Sequence, residues 1–424
     1  MNKSLGGFHR AGHTPTLIAA FLYFDVSFMI WVLLGPLGPF IGEELRLTAT
    51  QKGFLIATPL LGGSLFRPFL GVLADRIGGR RTGLLGLGLT LVPLLAGWRF
   101  AGRLDQLLLV GLLLGVAGAS FAVALPLAGG WYPPEYQGLA MGIAGAGNSG
   151  TLLATLFAPR LAQAFGWRSV FGVAMLPVCV AAVVFALLAR DSPRRRAALE
   201  WRDYAAAFRE ADTGWFCLLY SLTFGGFVGL ASFLTVFFHE QYHVSKIQAG
   251  DFTSMAVLAG SFLRPVGGLL SDRMGGYRLL LVLLTGAGLG LAGIGFLPSA
   301  GAALLLAIAI TGMLGMGNGA VFQLVPQRFP KQVGLLTGLV GAAGGLGGFL
   351  LPSVLGAVKD RTGQYGWGFL LGAAAVLAGA AVLLRLGSRW QGTWPPVAVK
   401  RAGIFCYRSL KLKQPAPETS NAAT

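Results

Sequence analysis

Runs of apolar residues long enough to cross a lipid bilayer recur along the whole chain and limit the folds it can adopt. A helix needs about 20 residues to cross a hydrocarbon core of about 30 Å. The runs lie at about 15–41, 51–74, 82–101, 104–131, 136–165, 168–189, 214–238, 247–271, 277–298, 301–325, 332–357 and 366–387. Only 12% of the residues are charged, against about 25% in soluble domains. The pattern predicts an all-α polytopic membrane protein with twelve transmembrane helices.

A charged stretch separates the first six runs from the last six. We therefore expect an N-terminal tail at 1–14, a six-helix bundle at 15–189, a linker at 190–213, a second six-helix bundle at 214–387 and a basic tail at 388–424. Neither the linker nor the basic tail is long enough for a soluble signalling domain.

The two halves carry a repeated motif at a constant offset. Arg67 precedes a proline inside an apolar run, and Arg264 does the same 197 positions later. Further identities at this offset are Pro68 and Pro265, Gly71 and Gly268, Asp75 and Asp272, Gly78 and Gly275, and Arg81 and Arg278. One ungapped offset over several helices predicts a duplicated unit and two pseudo-symmetric bundles.

The topology of a membrane protein explains the net charge of +17 better than binding to nucleic acid does. With both termini in the cytoplasm, 22 of the 33 Lys and Arg residues fall in cytoplasmic segments. Such a bias sets the orientation of polytopic proteins. The basic tail after Arg389 lacks dense aromatic residues, so contact with anionic membrane lipids explains it better than nucleic acid does.

The two arginines of the repeat are the strongest candidates for a site. Arg67 lies eight residues before Asp75, which is roughly 12 Å along a helix. Both arginines therefore lie near the middle of the membrane, where a charged residue must face the protein interior. Asp25 is the only acidic residue at comparable depth, so at least one guanidinium lacks a permanent partner. Two planar guanidinium groups, each with N–H donors in a fixed geometry, suit a small planar oxyanion such as nitrate or nitrite.

Other polar and aromatic residues are candidates for the same cavity. Asn148, in the glycine-rich stretch 145–151, can donate an amide hydrogen to an oxyanion. Phe121, Tyr220 and Phe224 are candidates for its walls, and the last two are four residues apart on one helix face. Close packing of helices would also explain the glycines, without any substrate.

Asp25 leaves two interpretations open. A carboxylate removed from water can take up a proton, which would suit proton coupling of transport. It can equally serve as a permanent counter-ion for one of the arginines.

Two motif matches lack the context that their chemistry needs. His239 to His243 fits the H-E-x-x-H pattern of zinc proteases, but no third ligand is evident. Gly145, Gly147 and Gly150 fit a dinucleotide fingerprint, but no strand-turn-helix unit surrounds them. We therefore expect no metal, no cofactor and no enzymatic activity; an intramembrane zinc protease is the disfavoured alternative.

The stretch 71–81 resembles the loop motif between the second and third helices of the major facilitator superfamily, with an echo at 268–278. The resemblance implies two six-helix bundles around a central site. It also implies a gating role for the loop residues, which are Gly71, Asp75, Arg76, Gly78, Arg81, Asp272 and Arg273.

More narrowly, residues 15–387 resemble the nitrate/nitrite porter family, through the Arg-Pro pairs, the glycine-rich stretches 142–151 and 341–348, and GlyAsnGlyAlaValPhe at 317–322. The resemblance implies anion binding by Arg67 and Arg264, with Asn148, Phe121, Tyr220 and Phe224 in the site. The second glycine-rich stretch departs from the first, because Gly345 stands at the position that matches Asn148.

The expected function is secondary active transport of nitrate, and also nitrite, across the bacterial inner membrane by a monomer. Asp25 makes the chain similar to proton-coupled members, which favours proton-coupled nitrate uptake. Nitrate/nitrite exchange is the alternative within transport, and a membrane sensor with an anion site is the alternative of another class.

Overall fold

The fold is known from a computed structural model, which describes residues 8, 11–192, 202, 206, 207, 209–329 and 333–404. Most of the linker expected at 190–213 and the tail beyond residue 404 lie outside the described residues. The same holds for most of the tail expected at 1–14.

The described residues of the N-terminal half form nine helices, and several membrane-spanning segments consist of two consecutive helices. They are α1 (Thr14–Trp31), α2 (Leu34–Glu44), α3 (Ala49–Ile77), α4 (Gly79–Arg99), α5 (Leu104–Gly118), α6 (Phe121–Gly129), α7 (Pro134–Gly145), α8 (Gly150–Phe165) and α9 (Trp167–Leu188). A 3₁₀ turn, Ala146–Ser149, joins α7 to α8.

The C-terminal half repeats this arrangement and adds a short helix after its last span. Its helices are α10 (Ala211–Tyr220), α11 (Gly226–Tyr242), α12 (Lys246–Met274), α13 (Gly276–Gly295), α14 (Ala300–Arg328), α15 (Val333–Thr362), α16 (Gly366–Thr393) and α17 (Pro396–Ala402). A π-helical turn, Ser221–Gly225, joins α10 to α11.

Within the described residues, 11 helical segments are long and apolar enough to cross a membrane, and no strand occurs. The remaining predicted span is the segment formed by α7, the 3₁₀ turn and α8, which is broken in the middle by the turn. The all-α fold that the apolar runs predict is therefore confirmed.

The boundaries of two matching helices also lie 197 residues apart. The helices α3 and α12 begin and end at positions 197 apart. Each begins after a hydroxyl side chain, Thr48 or Ser245, which accepts a hydrogen bond from the backbone N–H three residues later. This is the usual cap for the first turn of a helix. The same local chemistry thus starts the second span of each half.

Two matching glycines end these helices. Gly78 has φ +94° and Gly275 has φ +88°, a region that side-chain-bearing residues rarely adopt. The chain reverses at each and the next helix, α4 or α13, begins at the following residue. The arginines of the repeat are therefore held at the same depth in both halves.

The halves pack through matching pairs of helices. A side chain at Gly53 in α3 would meet the carbonyl oxygen of Pro352 in α15. A Cβ at Gly250 in α12 would lie 2.8 Å from the ring of Pro159 in α8. Since α12 is the counterpart of α3 and α15 that of α8, the two contacts are related by the pseudo-symmetry. Small residues let helix backbones approach closely in membranes.

Candidate anion-binding site

Arg67 lies in the interior of α3, with 1% of its surface exposed. Its Nε donates to the carbonyl oxygen of Gly118 at 3.1 Å, and its Nη1 donates to the carbonyl oxygen of Gly341. Among the described residues, Nη2 has no hydrogen-bond partner. The guanidinium is therefore held in place by two carbonyls and keeps one donor for another group.

Three aromatic rings surround the Arg67 guanidinium. Its central carbon lies 5.1 Å from the ring centroid of Trp31, 5.3 Å from that of Phe121 and 5.4 Å from that of Phe224. Such rings attract a cation through their electron-rich faces and exclude water. The side chain thus stays charged in a site of low polarity, where its attraction for an anion is strong.

Arg264 occupies the matching position in α12 and is only half-buried. Its Nη2 lies 3.5 Å from the Tyr220 hydroxyl oxygen, and its central carbon is 6.0 Å from the ring centroid of Phe322. Its Nη1 is buried and lacks a hydrogen-bond partner among the described residues. Each half therefore contributes one guanidinium with an unused N–H group.

The aromatic rings connect the two guanidiniums. The rings of Phe121 and Phe322 stack at 6.1 Å, and those of Tyr220 and Phe224 stack at 5.1 Å with parallel planes. Tyr220 also meets Phe322 edge to face at 4.8 Å. The structure therefore brings Arg67, Arg264 and the three predicted aromatic residues into one cluster between the halves.

The π-helical turn Ser221–Gly225 places two of these rings. Tyr220 directly precedes this turn and Phe224 lies within it, and their rings stack although a π-helical turn is wider than an α-helical one. Ser221 Oγ donates to the carbonyl oxygen of Ala343 at 2.7 Å, which fastens the turn to α15. Turns of this kind inside helices frequently occur at functional sites.

The second glycine-rich stretch, 341–348, forms the wall opposite this turn. A Cβ at Gly344 would lie 2.7 Å from a ring carbon of Tyr220 and 2.8 Å from one of Phe224. A side chain at Gly345 would meet the hydroxyl of Ser64. The glycines therefore give room to the site's own aromatic rings, besides allowing helices to approach.

Asn148 is fully buried in the 3₁₀ turn of the first glycine-rich stretch. With its amide nitrogen turned toward the backbone, it donates to the carbonyl oxygens of Gly145 at 3.2 Å and Ala146 at 3.3 Å. These hydrogen bonds lie within its own segment. In this conformation the structure does not bring the Asn148 amide to either guanidinium.

Asp25 lies against the first glycine-rich stretch. Ser149 Oγ donates to its Oδ1 at 2.6 Å, and a Cβ at Gly147 would lie 2.9 Å from its backbone nitrogen. Among the described residues, the ion pairs do not include Asp25. A hydroxyl partner leaves the carboxyl able to take up a proton, whereas the counter-ion interpretation finds no contact to support it.

Sequence reasoning missed two contributors to the cluster. Phe322 closes the stretch 317–322, which the sequence marks as unusual, but its aromatic role was not anticipated. Trp31 comes from the end of α1 and donates from Nε1 to the carbonyl oxygen of Pro59 at 2.6 Å. No sequence signal distinguishes this tryptophan from one facing lipid.

The arrangement can hold one small anion between two cations. Two guanidiniums at one site repel each other, and burying them without a counter-charge is costly. An anion accepting from both would relieve that cost, and planar forks favour a planar oxyanion. Among the described residues, no group of three His, Cys, Asp or Glu side chains could hold a metal ion.

Comparison with known proteins identifies the family. Residues 17–352 match the Major Facilitator Superfamily. The chain is 35% identical over 369 residues to the "Nitrite extrusion protein" of Bacillus subtilis, with 86% of this chain and 92% of that protein covered. The chain belongs to the major facilitator superfamily, in its nitrate/nitrite porter family.

Other relatives in the family agree over nearly their full length. The "Probable nitrate/nitrite transporter NarK2" of Mycobacterium tuberculosis is 36% identical, with 86% of this chain and 94% of that protein covered. The "Probable nitrate/nitrite antiporter NarK1" of Thermus thermophilus is 32% identical, with 81% and 84% covered. The chain is thus a multi-pass membrane transporter and not an enzyme.

The loop motif of the superfamily lies where α3 and α12 end, beyond the cluster. Its residues are Gly71, Asp75, Arg76, Gly78 and Arg81, with Asp272 and Arg273 in the second half. Asp191, just after α9, accepts from the backbone N–H of Arg80 at 2.9 Å next to Gly78. This carboxylate fixes the start of α4, since a negative charge is favourable at a helix N-terminus.

Proposed function

We propose that this porter moves nitrate, and also nitrite, across the bacterial cytoplasmic membrane. The observation that carries the proposal is the pair of guanidiniums, with Arg67 fully buried and Arg264 half-buried, each with one buried terminal NH2 group unpartnered among the described residues. The names of the relatives, which include nitrate and nitrite transporters, support the same substrates.

The anion would be bound at the interface of the halves. Nη2 of Arg67 and Nη1 of Arg264 would donate to its oxygens, while the aromatic rings exclude water from it. Binding would neutralise the repulsion between the two guanidiniums and let the bundles rock together around a fixed site. Asn148 would join the site only after the 3₁₀ turn releases its amide from the carbonyls of Gly145 and Ala146.

Uptake of nitrate into the cell would need an energy source. An inward-negative membrane potential opposes entry of an anion by about 2.3 kcal/mol per charge per 100 mV. We propose that protons supply it through Asp25, which has a hydroxyl partner and lies in α1, the helix that also carries Trp31 of the cluster. Both termini would face the cytoplasm, and the monomer would be the functional unit.

Exchange of nitrate for nitrite is the second candidate. It is supported by the Thermus thermophilus relative, which is named as an antiporter. Exchange needs no proton, because one monoanion leaves for each that enters. The two candidates share the arginine site and differ only in the role of Asp25.

Flux into proteoliposomes tests the proposal. Purified protein is reconstituted with no internal anion or with internal nitrite, and nitrate entry is followed with and without an inward proton gradient. Proton coupling predicts entry into empty vesicles that increases with the gradient. Exchange predicts entry only into nitrite-loaded vesicles, and absence of nitrate and nitrite flux in every condition would refute the proposed substrates.

A further inference from the structure

Ion pairs between the two halves gather at one end of the helix bundle. We call this the far end, because it is opposite to the end where α1 begins and α16 finishes. Arg160 of α8 donates from both terminal nitrogens to Asp251 of α12, at 2.7 and 3.0 Å. Asp360 of α15 accepts from the backbone N–H groups of Ala49 and Thr50 at the start of α3, at 3.0 and 2.8 Å.

The stretch that resembles a zinc-protease motif contributes to the same closure. Glu240 accepts from the ammonium of Lys52 in the N-terminal half, and from the Tyr365 hydroxyl. His239, the residue before it, faces Glu43 at the end of α2. Two of the three residues of the apparent motif, His239 and Glu240, therefore contact the opposite half.

Both ring nitrogens of His239 face hydrogen-bond acceptors. Its Nδ1 lies 2.8 Å from the carbonyl oxygen of Val244, and its Nε2 lies 3.1 Å from Oε1 of Glu43. A carbonyl and a carboxylate both accept hydrogen bonds and cannot donate them. Both contacts can be hydrogen bonds at the same time only when each ring nitrogen carries a hydrogen, which is the imidazolium form.

Three further charged groups lie around His239 and Glu43. The ammonium of Lys246 also donates to Glu43, so the carboxylate joins two cations when the histidine is charged. Lys52 and Glu240 neutralise each other next to it. The side chains of His239 and Glu43 are 23% and 58% exposed, so protons from the solution can reach the pair.

We propose that His239 and Glu43 form a proton-operated latch on the far end, which faces the cell exterior. The two residues belong to opposite halves, so opening the far end must separate them. Histidine exchanges its proton readily between about pH 5 and 8. The charged ring can donate to Val244 and Glu43 together only when the far end is closed, so acid favours the closed far end.

The sign of the effect follows from the pairing. At low pH the imidazolium is present and the latch is fully formed. As the pH rises, the neutral ring loses one of its two donors, the hydrogen bond to Glu43 or that to Val244 is lost, and the far end opens more readily. The latch thus makes the fraction of outward-open transporter depend on the external pH. It does so without a change in the anion site.

Distance measurements between spin labels on the two halves test the latch. Gln163 at the end of α8 and Gln364 after α15 are both exposed at the far end and are replaced by cysteine. The native cysteines Cys179, Cys217 and Cys406 are replaced by alanine. Double electron–electron resonance then gives the ratio of closed to open far ends in reconstituted protein, without nitrate, from about pH 5.5 to about pH 8.

The expected result is a closed-to-open ratio that is about fivefold larger at the acidic end of this range, from an interaction of partly exposed charges. His239→Gln removes this dependence, and so does Glu43→Gln. His243→Gln, at the other histidine of the motif, is the matched control and keeps it. A dependence that survives His239→Gln and Glu43→Gln, or that disappears with His243→Gln, overturns the proposal.

This readout does not involve substrate. The latch can therefore fail while nitrate transport holds, and nitrate transport can fail while the distances still respond to pH. The Glu43→Gln variant keeps the test decisive if His239→Gln folds poorly, because both changes remove the same charged hydrogen bond.

Discussion

Arg67 in the N-terminal half donates from Nη1 to the backbone carbonyl of Gly341 in the C-terminal half. The carbonyl belongs to the second glycine-rich stretch, which also packs on Tyr220 and Phe224. A movement of one half against the other must therefore break this hydrogen bond or shift the guanidinium. The anion site and the interface between the halves are the same set of contacts.

Arg67→Lys should weaken nitrate binding by about tenfold or more, since a charge-assisted hydrogen bond contributes about 1.5–3 kcal/mol. Lysine keeps the positive charge but cannot donate to Gly118, Gly341 and an anion with the geometry of the planar fork. Nitrate-dependent protection against thermal unfolding gives the affinity. Arg99→Lys, an exposed change outside the site, is the control, and equal nitrate affinity in both variants would contradict the bidentate site.

Gly344→Ala should reduce nitrate transport by about tenfold. The added methyl group lies within 3 Å of both Tyr220 and Phe224, and overpacking of this kind costs about 1–3 kcal/mol. Initial rates in proteoliposomes, normalised to folded protein, measure the effect. Gly338→Ala is a matched control in the same helix, because nothing lies within 4 Å of a Cβ there. It should leave transport unchanged; equal loss in both variants would show that helix flexibility, not ring packing, matters.

Hydropathy and the 197-residue offset predict the helices and the central arginine pair. Hydropathy reports the apolar length that the bilayer requires of every span, whereas the offset reports the duplication, and α3 and α12 keep their boundaries at this offset. The convergence of Phe121, Tyr220 and Phe224 on the arginines is also anticipated, because family motifs place them on facing helices.

Local backbone geometry explains what the sequence does not predict. The Asn148 amide turns to its own backbone because a 3₁₀ turn exposes the carbonyls of Gly145 and Ala146 to it. The π-helical turn before Gly226 likewise depends on packing against α15, which no local pattern encodes. Trp31 joins the site through the crossing of α1 and α3, a tertiary relation that hydropathy cannot report.

Asp25→Asn should abolish nitrate accumulation driven by a proton gradient and leave nitrate/nitrite exchange active. The amide resembles the protonated carboxyl in shape but cannot release a proton. Counterflow and gradient-driven uptake in the same vesicles separate the two activities. Ser149→Ala, which removes the hydroxyl partner and keeps the carboxyl, should retain gradient-driven uptake. Accumulation that persists in Asp25→Asn would move proton coupling to another residue.

Asp212→Ala should lower the melting temperature of the purified protein by several degrees. Asp212 is 4% exposed, and its carboxylate accepts from the indole N–H groups of Trp390 at 2.9 Å and Trp394 at 3.2 Å, as well as from Arg328. Removing one partner of a buried ion pair costs about 3–5 kcal/mol, because the other charge is left uncompensated.

A second carboxylate provides the control for this change. Asp105 pairs with Arg103 at 3.2 Å, but their side chains are 66% and 77% exposed. Exposed pairs of this kind contribute little, so Asp105→Ala should leave the melting temperature unchanged. Differential scanning fluorimetry in detergent compares both variants with the parent protein. Equal melting temperatures for all three would show that the Asp212 cluster does not fasten α16 to the start of α10.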